Sequence, residues 1–292
     1  MPVISLYRDL LSLPDRGLRP AFLRSCYGKH RTYFDGLLET YGPGVFGPGG
    51  LQQTVERFGP AVLQALRALL AGGFQPEPLV EGLLQECLPL LPGAPPRVYL
   101  ATLFFLAPAA TISVEGEPAI AVGLERFVPG DLPPSPPGFP GRFYYQPREM
   151  GEMVPHEACH AARMRALDLP PTPRRLSLKD MAFLEGTALA FTDRLVGRET
   201  LRTFLPEEAF RWHETHDAEA RLTALADFNK TGMDVFSRYF SPQAPVSGYY
   251  VGLSLCREYL RRYGEDSLSE LVVLPSDAAL QRLGLAAPPD GL

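Results

Sequence analysis

The chain has 292 residues, of which 46% are hydrophobic and 21% charged, so it can bury a sizeable core in one large domain or two modest ones. Its formal net charge of −5 gives no general electrostatic reason to bind nucleic acid or an anionic membrane surface. The chain reaches Arg8 and Asp9 before any apolar run of signal-peptide length, and its longest apolar run, 98–114, is shorter than the roughly 20 residues of a membrane-spanning helix. We therefore expect a soluble, cytoplasmic protein that binds neither nucleic acid nor membranes.

The amino-terminal third is predicted to be helical. From Ser5 to about Leu91 the apolar residues recur at helical spacing, with breaks at 42–50 and at Gly72-Gly73. The pattern then changes to three strand-like runs, VYLATLFF, ATISV and AIAVGL. Residues 115–118, with the sequence Glu-Gly-Glu-Pro, predict a turn between the last two runs.

A proline- and glycine-rich loop at 129–147 separates these strands from a second helical region. Helices are predicted at about 154–167, at 178–196, at 207–227 and over GYYVGLSLCREYLRRYG, which Gly264 ends. This order predicts an α+β fold that is mostly helical, with a small sheet before the helix at 154–167. We expect a helical amino-terminal region at 1–92 and a second region at 93–292, either as separate domains or as one continuous domain.

The four cysteines lie far apart and include no CxxC pair, which suits neither a zinc ribbon nor a dense disulfide scaffold. We expect Cys26, Cys87, Cys159 and Cys256 to be free thiols, buried or partly buried, in a reducing compartment.

The segment HEACH at 156–160 contains the pattern HExxH. On a helix the i, i+4 spacing brings His156 and His160 onto one face, where two neutral imidazoles can bind one metal ion. Glu157 would lie beside that ion and accept a proton from a water molecule. Pro155 conflicts with a straight helix through this segment, because proline is tolerated only in the first turn of such a helix. The helix therefore either begins near 152–155 or bends there.

A third ligand is predicted downstream. In DMAFLEGTALAF, at 180–191, Glu185 is an acid in the middle of an otherwise apolar helical stretch. An uncompensated buried carboxylate is costly, and a bound cation offsets that cost. Asp180 and Asp193 are alternative ligands, although Asp180 suits a helix start and Asp193 a supporting or surface position.

HEACH, followed after 24 residues by Glu185 in FLEGTALAF, resembles the gluzincin metallopeptidases, whose second helix carries an acid ligand in a sequence similar to NEGFAEYF. Gly186 and Ala188 match the small residues of that helix. PVSGYYVG, at 245–252, resembles the GY-x-x-G element of bacterial families described as predicted zinc-dependent proteases. The resemblance implies a zincin-like active-site helix and one zinc ion bound by His156, His160 and Glu185.

The resemblance further implies a tyrosine or histidine that donates a hydrogen bond to the developing oxyanion. Tyr249 is the preferred candidate, because it follows Gly248 in the matching motif, and Tyr250 is the alternative. Core packing of both rings is equally compatible with the sequence. His213 and His216, in RWHETHDAEA, lie among many charges and are interpreted as part of a solvated helix face, with an accessory substrate or metal role as the alternative.

Zinc peptidases usually bind an extended substrate by β-addition to a strand near the metal, and 119–127 is the natural candidate, with a plain core strand as the alternative. No GxMEN-like element precedes HExxH, so no anchor for a substrate amino terminus is visible.

We expect a metallopeptidase that hydrolyses a peptide or protein substrate with a metal-activated water, Glu157 as general base and Tyr249 as a catalytic donor. A metal-dependent hydrolase of a non-peptide amide or ester and a catalytically silent metal-binding regulator are the alternatives.

Overall fold

The computed structural model describes the chain over residues 3–11, 28–42, 60–101, 107–128, 145–170, 172, 175–241 and 244–285. Some predictions fall outside these ranges: the break at 42–50 after Gly42, the end of the first strand-like run at 102–105, most of the loop at 129–147, and Cys26. Contacts divide the chain into two compact units, Met1–Leu88 with Pro95–Ala161 and Pro89–Ala94 with Ala162–Leu292.

The first unit combines the amino-terminal helices with a small sheet. Its elements are β1 (Val3–Ser5), α1 (Tyr7–Leu11), α2 (Arg31–Tyr41), α3 (Pro60–Ala71), α4 (Pro76–Cys87), β2 (Arg97–Ala101), β3 (Ala109–Val114), β4 (Glu117–Gly123) and the first part of α5 (Met150–Leu167). The helices around one small sheet confirm the predicted α+β class. The break at Gly72-Gly73 is also confirmed, since α3 ends there.

The sheet has the strand order β1-β2-β4-β3 among the described residues. β1, β2 and β4 are parallel, whereas β3 pairs antiparallel with β4. The predicted turn is confirmed: Glu115 and Gly116 join β3 to β4 with φ of 58° and 80°, a left-handed conformation that glycine adopts readily. The strand β1 was not predicted, because three residues carry too little pattern to stand out from a helical region.

β4 is not an edge strand. It pairs with β2 through Ala119–Gly123 and with β3 through Glu117–Val122, so both of its sides are occupied. The expectation that 119–127 receives a substrate strand is therefore wrong, and the plain core strand is the correct alternative. Among the described strands β1 and β3 form the two edges of the sheet, and the only described partner strand of β3 is β4.

Helix α2 covers one part of this sheet. Tyr33, Phe34 and Leu37 on α2 are buried against sheet residues that include Tyr99 and Ile112. The rings of Tyr33 and Tyr99 lie 5.2 Å apart between centroids. Burial of these large side chains is worth roughly 1.5–3 kcal/mol each, which fixes the helix against the sheet.

The second unit is helical. After the last residues of α5 come α6 (Leu178–Val196), α7 (Leu201–Phe204), α8 (Glu207–Thr215), α9 (Asp217–Leu225), α10 (Met233–Phe240), α11 (Gly248–Tyr263), α12 (Leu268–Val273) and α13 (Ser276–Leu283). The helices predicted at 178–196 and up to Gly264 are confirmed. A single helix over 207–227 is wrong, because the chain breaks at His216, where φ is −123° and α9 starts anew.

Helices α6 and α11 cross with their backbones in contact. A Cβ atom on Gly186 would overlap the backbone of Gly252, and a Cβ atom on Gly252 would overlap the carbonyl of Ala182. The glycine pair is thus needed for the crossing. No described helix is both long enough and apolar enough to cross a membrane. Cys87, Cys159 and Cys256 are buried free thiols, as predicted.

Candidate metal centre

Helix α5 carries the HExxH segment. It follows a short 3-10 turn in which the carboxylate of Glu149 accepts a hydrogen bond from the backbone amide of Gln146 at 2.5 Å, an arrangement that stabilises a helix start. The helix begins at Met150, so Pro155 is its sixth residue and lies past the first turn. A helix start at 152–155 is therefore wrong. Because proline has no amide hydrogen, the carbonyl of Gly151 loses its usual donor four residues on.

His156 and His160 lie on one face of α5, as their spacing predicts. Their exposed fractions are only 3% and 7%, and their ring centroids lie 4.5 Å apart. Two adjacent imidazoles inside the protein are a suitable pair of nitrogen ligands.

Glu185 lies in the middle of α6, whose start is capped by Ser177. The Ser177 hydroxyl accepts from the backbone amide of Asp180 at 3.2 Å, which confirms the helix-start position expected for Asp180. One ring nitrogen of His156, one of His160 and one carboxylate oxygen of Glu185 all lie within 4.8 Å of one another. Within the described ranges no other group of three such side chains is this close.

This donor set fits a zinc ion. Two imidazole nitrogens and one carboxylate oxygen are typical protein ligands of catalytic zinc, with a fourth position open for water or substrate. Atoms bound to one zinc at about 2.0–2.2 Å lie no more than about 4.4 Å apart. The observed separations, all within 4.8 Å, are therefore compatible with common coordination after small side-chain movements.

Glu157 lies between the sheet and the histidines. Its carboxylate accepts a hydrogen bond from the Thr111 hydroxyl on β3 at 2.8 Å, and the same hydroxyl lies 3.0 Å from the Glu157 carbonyl. A carboxylate oxygen also lies 3.4 Å from Nδ1 of His160. Since Nδ1 of His160 faces a carboxylate, Nε2 is the nitrogen directed elsewhere and suited to bind a metal.

The electrostatics of Glu157 favour its ionised form. Burial alone would raise its pKa, but the charge and hydrogen bond of His160, the charge of His156 and the hydrogen bond from Thr111 together lower the pKa below its ordinary value. The carboxylate is thus kept ready to accept a proton. Thr111 was not predicted from the sequence, because one threonine in a strand carries no local sign of a distant partner.

Tyr249 lies in the first turn of α11, one turn before Gly252. The candidate ligand Glu185 directly precedes Gly186, the other member of the backbone crossing. Tyr249 packs edge-to-face against Phe240, with ring centroids 5.1 Å apart. The hydrogen bond from Tyr249 to a developing oxyanion stays a prediction.

Tyr250 faces a different part of the second unit. Its ring lies 4.8 Å from that of His213 between centroids. It also lines a cleft of about 350 Å³ whose described lining contains none of the three candidate ligands. The remaining residues of that lining are Asp217, Arg221, Leu253, Ser254, Arg257, Glu258 and Arg261.

His213 is not part of a solvated helix face. Only 1% of it is exposed, its Nδ1 lies 2.6 Å from the Ala209 carbonyl, and its Nε2 accepts a hydrogen bond from the Ser247 amide at 2.8 Å. The expectation is wrong for His213 because α11 covers it, but it holds for His216, which is exposed. His213 therefore positions the start of α11.

Asp193 has a structural role, as expected for its supporting or surface position. One carboxylate oxygen accepts hydrogen bonds from the amide and hydroxyl of Thr200, at 2.6 and 2.7 Å, and the other lies 3.0 Å from Arg257. Both carboxylate oxygens of Asp193 are therefore occupied by hydrogen bonds or an ion pair within the protein.

The geometry thus defines a candidate zinc site of the His-His-Glu type. A family model described as "Predicted Zn-dependent protease (DUF2268)" matches residues 142–281, a range that includes the HExxH segment, Glu185 and Tyr249. The chain is therefore similar to a family of predicted zinc proteases. No curated protein and no solved structure matches it.

Proposed function

We propose that the chain is a zinc-dependent peptidase of the gluzincin kind, with one zinc ion bound by His156, His160 and Glu185. The observation that carries the proposal is the approach of these three ligand atoms to within 4.8 Å of one another. The match to a family of predicted zinc proteases supports it. A zinc ion bound there would supply Lewis-acid activation of a water molecule and of the scissile carbonyl.

Glu157 is the general base of this proposal. Its carboxylate takes a proton from the attacking water and later passes that proton to the leaving amine. Thr111 holds the carboxylate through its hydroxyl at 2.8 Å, which fixes the direction in which the free lone pairs point. His160 contacts the same carboxylate through Nδ1, so the base and the metal ligand orient each other.

The substrate strand would pair with β3 rather than with β4. β3 is one of the two edge strands among the described residues, and its Thr111 contacts the base. Main-chain hydrogen bonds to a strand edge hold an extended peptide without requiring a particular sequence. This arrangement favours a peptide or protein substrate over a small non-peptide amide or ester.

The proposal is tested by comparing Glu157→Gln with Glu214→Gln in the zinc-loaded protein. Glutamine has nearly the same shape but cannot accept the proton, so Glu157→Gln should lower peptide hydrolysis by about 10²–10⁴-fold and leave the zinc content unchanged. Glu214 is an exposed glutamate in the other histidine-rich segment, so Glu214→Gln should leave both values unchanged.

Three outcomes would contradict the proposal. Loss of zinc in Glu157→Gln would make Glu157 a ligand instead of a base. Hydrolysis of esters or non-peptide amides without any peptide cleavage would support a different hydrolase. A zinc-loaded protein that turns over none of these substrates would support a regulatory metal-binding protein.

A further inference from the structure

The outer edge of β3 presents backbone groups at alternate residues. Ser113 lies opposite Pro118 of β4, and because proline has no amide hydrogen this pair is not hydrogen-bonded. The N–H and C=O groups of Ser113 therefore point away from β4. Residues two positions apart in a strand point their backbone groups the same way, so Thr111 also presents its N–H and C=O to the outer edge.

Helix α2 occupies this edge at Ser113. The Ser113 amide donates to the Thr40 hydroxyl at 3.4 Å, and that hydroxyl donates to the Gly36 carbonyl at 2.9 Å. A Cβ atom on Gly36 would overlap the carbonyl oxygen of Ser113. The backbone of the helix thus lies directly against the edge and takes the position that a paired strand would need.

The helix is anchored in this position. Tyr33, Phe34 and Leu37 are 1%, 7% and 0% exposed and belong to the core that joins α2 to the sheet. Moving α2 away from Ser113 would expose these side chains, at a large cost in free energy. The contact at Ser113 is therefore part of the folded structure and not a lid that opens easily.

The position of Glu157 indicates how far along β3 the contact with α2 lies from the bond that is cleaved. A general base must lie within hydrogen-bond reach of the proton it takes, directly or through one water. Since the Glu157 carboxylate is hydrogen-bonded to Thr111, the scissile bond of a paired peptide lies close to Thr111. Ser113 is two residues further, roughly 6.6 Å along the strand.

We propose that α2 forms a wall across the β3 edge that limits the substrate, on that side, to about two residues beyond the cleaved bond. The enzyme is then an exopeptidase that releases short fragments from one end of a peptide. The wall acts by excluded volume, so it requires no sequence element that binds a terminal charge. This inference rests on the proposed peptidase function.

The test uses a linear peptide of about twenty residues and the same sequence cyclised head to tail, each incubated with the zinc-loaded full chain. Mass spectrometry of the first products should show fragments of one or two residues from one end of the linear peptide, and an intact ring. Opening of the ring, or first cuts inside the linear peptide, would overturn the wall while leaving the peptidase function in place. Cleavage of neither peptide, or of any other peptide, would overturn the peptidase function and the exopeptidase assignment with it.

A second measurement tests the wall without activity. Thr40→Val removes the hydroxyl that accepts from the Ser113 amide, so hydrogen exchange at that amide should become about tenfold faster. Thr32→Val, the same change at an exposed position of α2, is the matched control and should leave exchange at Ser113 unchanged. Equal exchange in both variants would show that α2 does not cover Ser113 and would overturn the inference.

Discussion

The segments HEACH, at 156–160, and HETH, at 213–216, both contain two histidines and a glutamate within a few residues. In the first segment the histidines are four residues apart, both are buried, and their rings approach the carboxylate of Glu185. In the second segment the histidines are three residues apart. Helix α8 contains His213 but ends at Thr215, and α9 begins at Asp217, so His216 lies between the two helices. The first pair forms a candidate metal site and the second pair does not.

Contacts within the second segment distinguish it from the first. Both nitrogens of His213 are committed, to the Ala209 carbonyl and to the Ser247 amide. Nδ1 of His216 lies 2.9 Å from the Trp212 carbonyl, and its ring stacks on Trp212. Since both nitrogens of His213 are engaged, this segment can offer at most one histidine, His216, to a metal, so composition alone does not identify a site.

The largest expected difference between the two segments is in zinc binding. His156→Ala, His160→Ala and Glu185→Ala should each reduce the zinc content from about one ion per chain to nearly none, because three protein ligands are the usual minimum for a catalytic site. His213→Ala and His216→Ala should leave it unchanged. Metal analysis of purified variants distinguishes the two groups, and zinc retained by all five variants would place the metal elsewhere.

The next largest effect is expected at the adjacent tyrosines of α11. Tyr249→Phe should lower kcat by about a hundredfold with little change in zinc affinity, since the lost hydrogen bond matters chiefly in the transition state. Tyr250→Phe should leave kcat near the wild-type value, because Tyr250 packs on His213. Steady-state kinetics on both variants checks this, and the reversed result would transfer the role to Tyr250.

The smallest effect concerns stability at His213. Burial lowers the pKa of His213, while the hydrogen bond with the Ala209 carbonyl and the charge of Asp217 oppose that shift. A folded-state pKa below the unfolded value of about 6.5 means that the folded protein binds fewer protons. The stability contribution is therefore present above pH 6.5 and is lost as the pH falls through the folded-state pKa.

Thermal unfolding between roughly pH 5 and 8 measures this contribution. His213→Gln should cost about 1–2 kcal/mol near pH 7.5, through weaker hydrogen bonds and packing, and should flatten the acid side of the curve. His216→Gln, at an exposed position, should change neither. A wild-type protein whose stability rose on acidification through this range would contradict the assigned sign.

Local patterns in the sequence predicted several elements to within a few residues. Helix α6 was predicted at its observed bounds because Ser177 caps its start and Gly197, in a left-handed conformation, ends it. The turn at Glu115-Gly116 was predicted for the same reason, since the required conformation is decided by the residues themselves. The i, i+4 spacing likewise placed His156 and His160 on one face without reference to the rest of the chain.

Other features depend on partners that are distant in sequence. Both β3 and β4 carry strand patterns, but strand order decides that β3 is an edge strand and β4 is not, and the pattern within a strand says nothing about its neighbours. Thr111 contacts Glu157 across 46 residues, and no local signal distinguishes it from another strand threonine. His213 is buried by Ser247 and Tyr250, both more than thirty residues further along the chain.

The sequence by itself indicated the chemistry of the candidate site, through the HExxH spacing and the acid in an apolar helix. Each of these depends on residue type and on distances of a few residues, which backbone geometry converts directly into a shared face. Only the tertiary structure decided which strands lie at the edges of the sheet, which helix packs on the β3 edge and which histidines lie beside Glu185. These are outcomes of packing between segments far apart in the chain, where burial and hydrogen bonding are decided jointly by both partners.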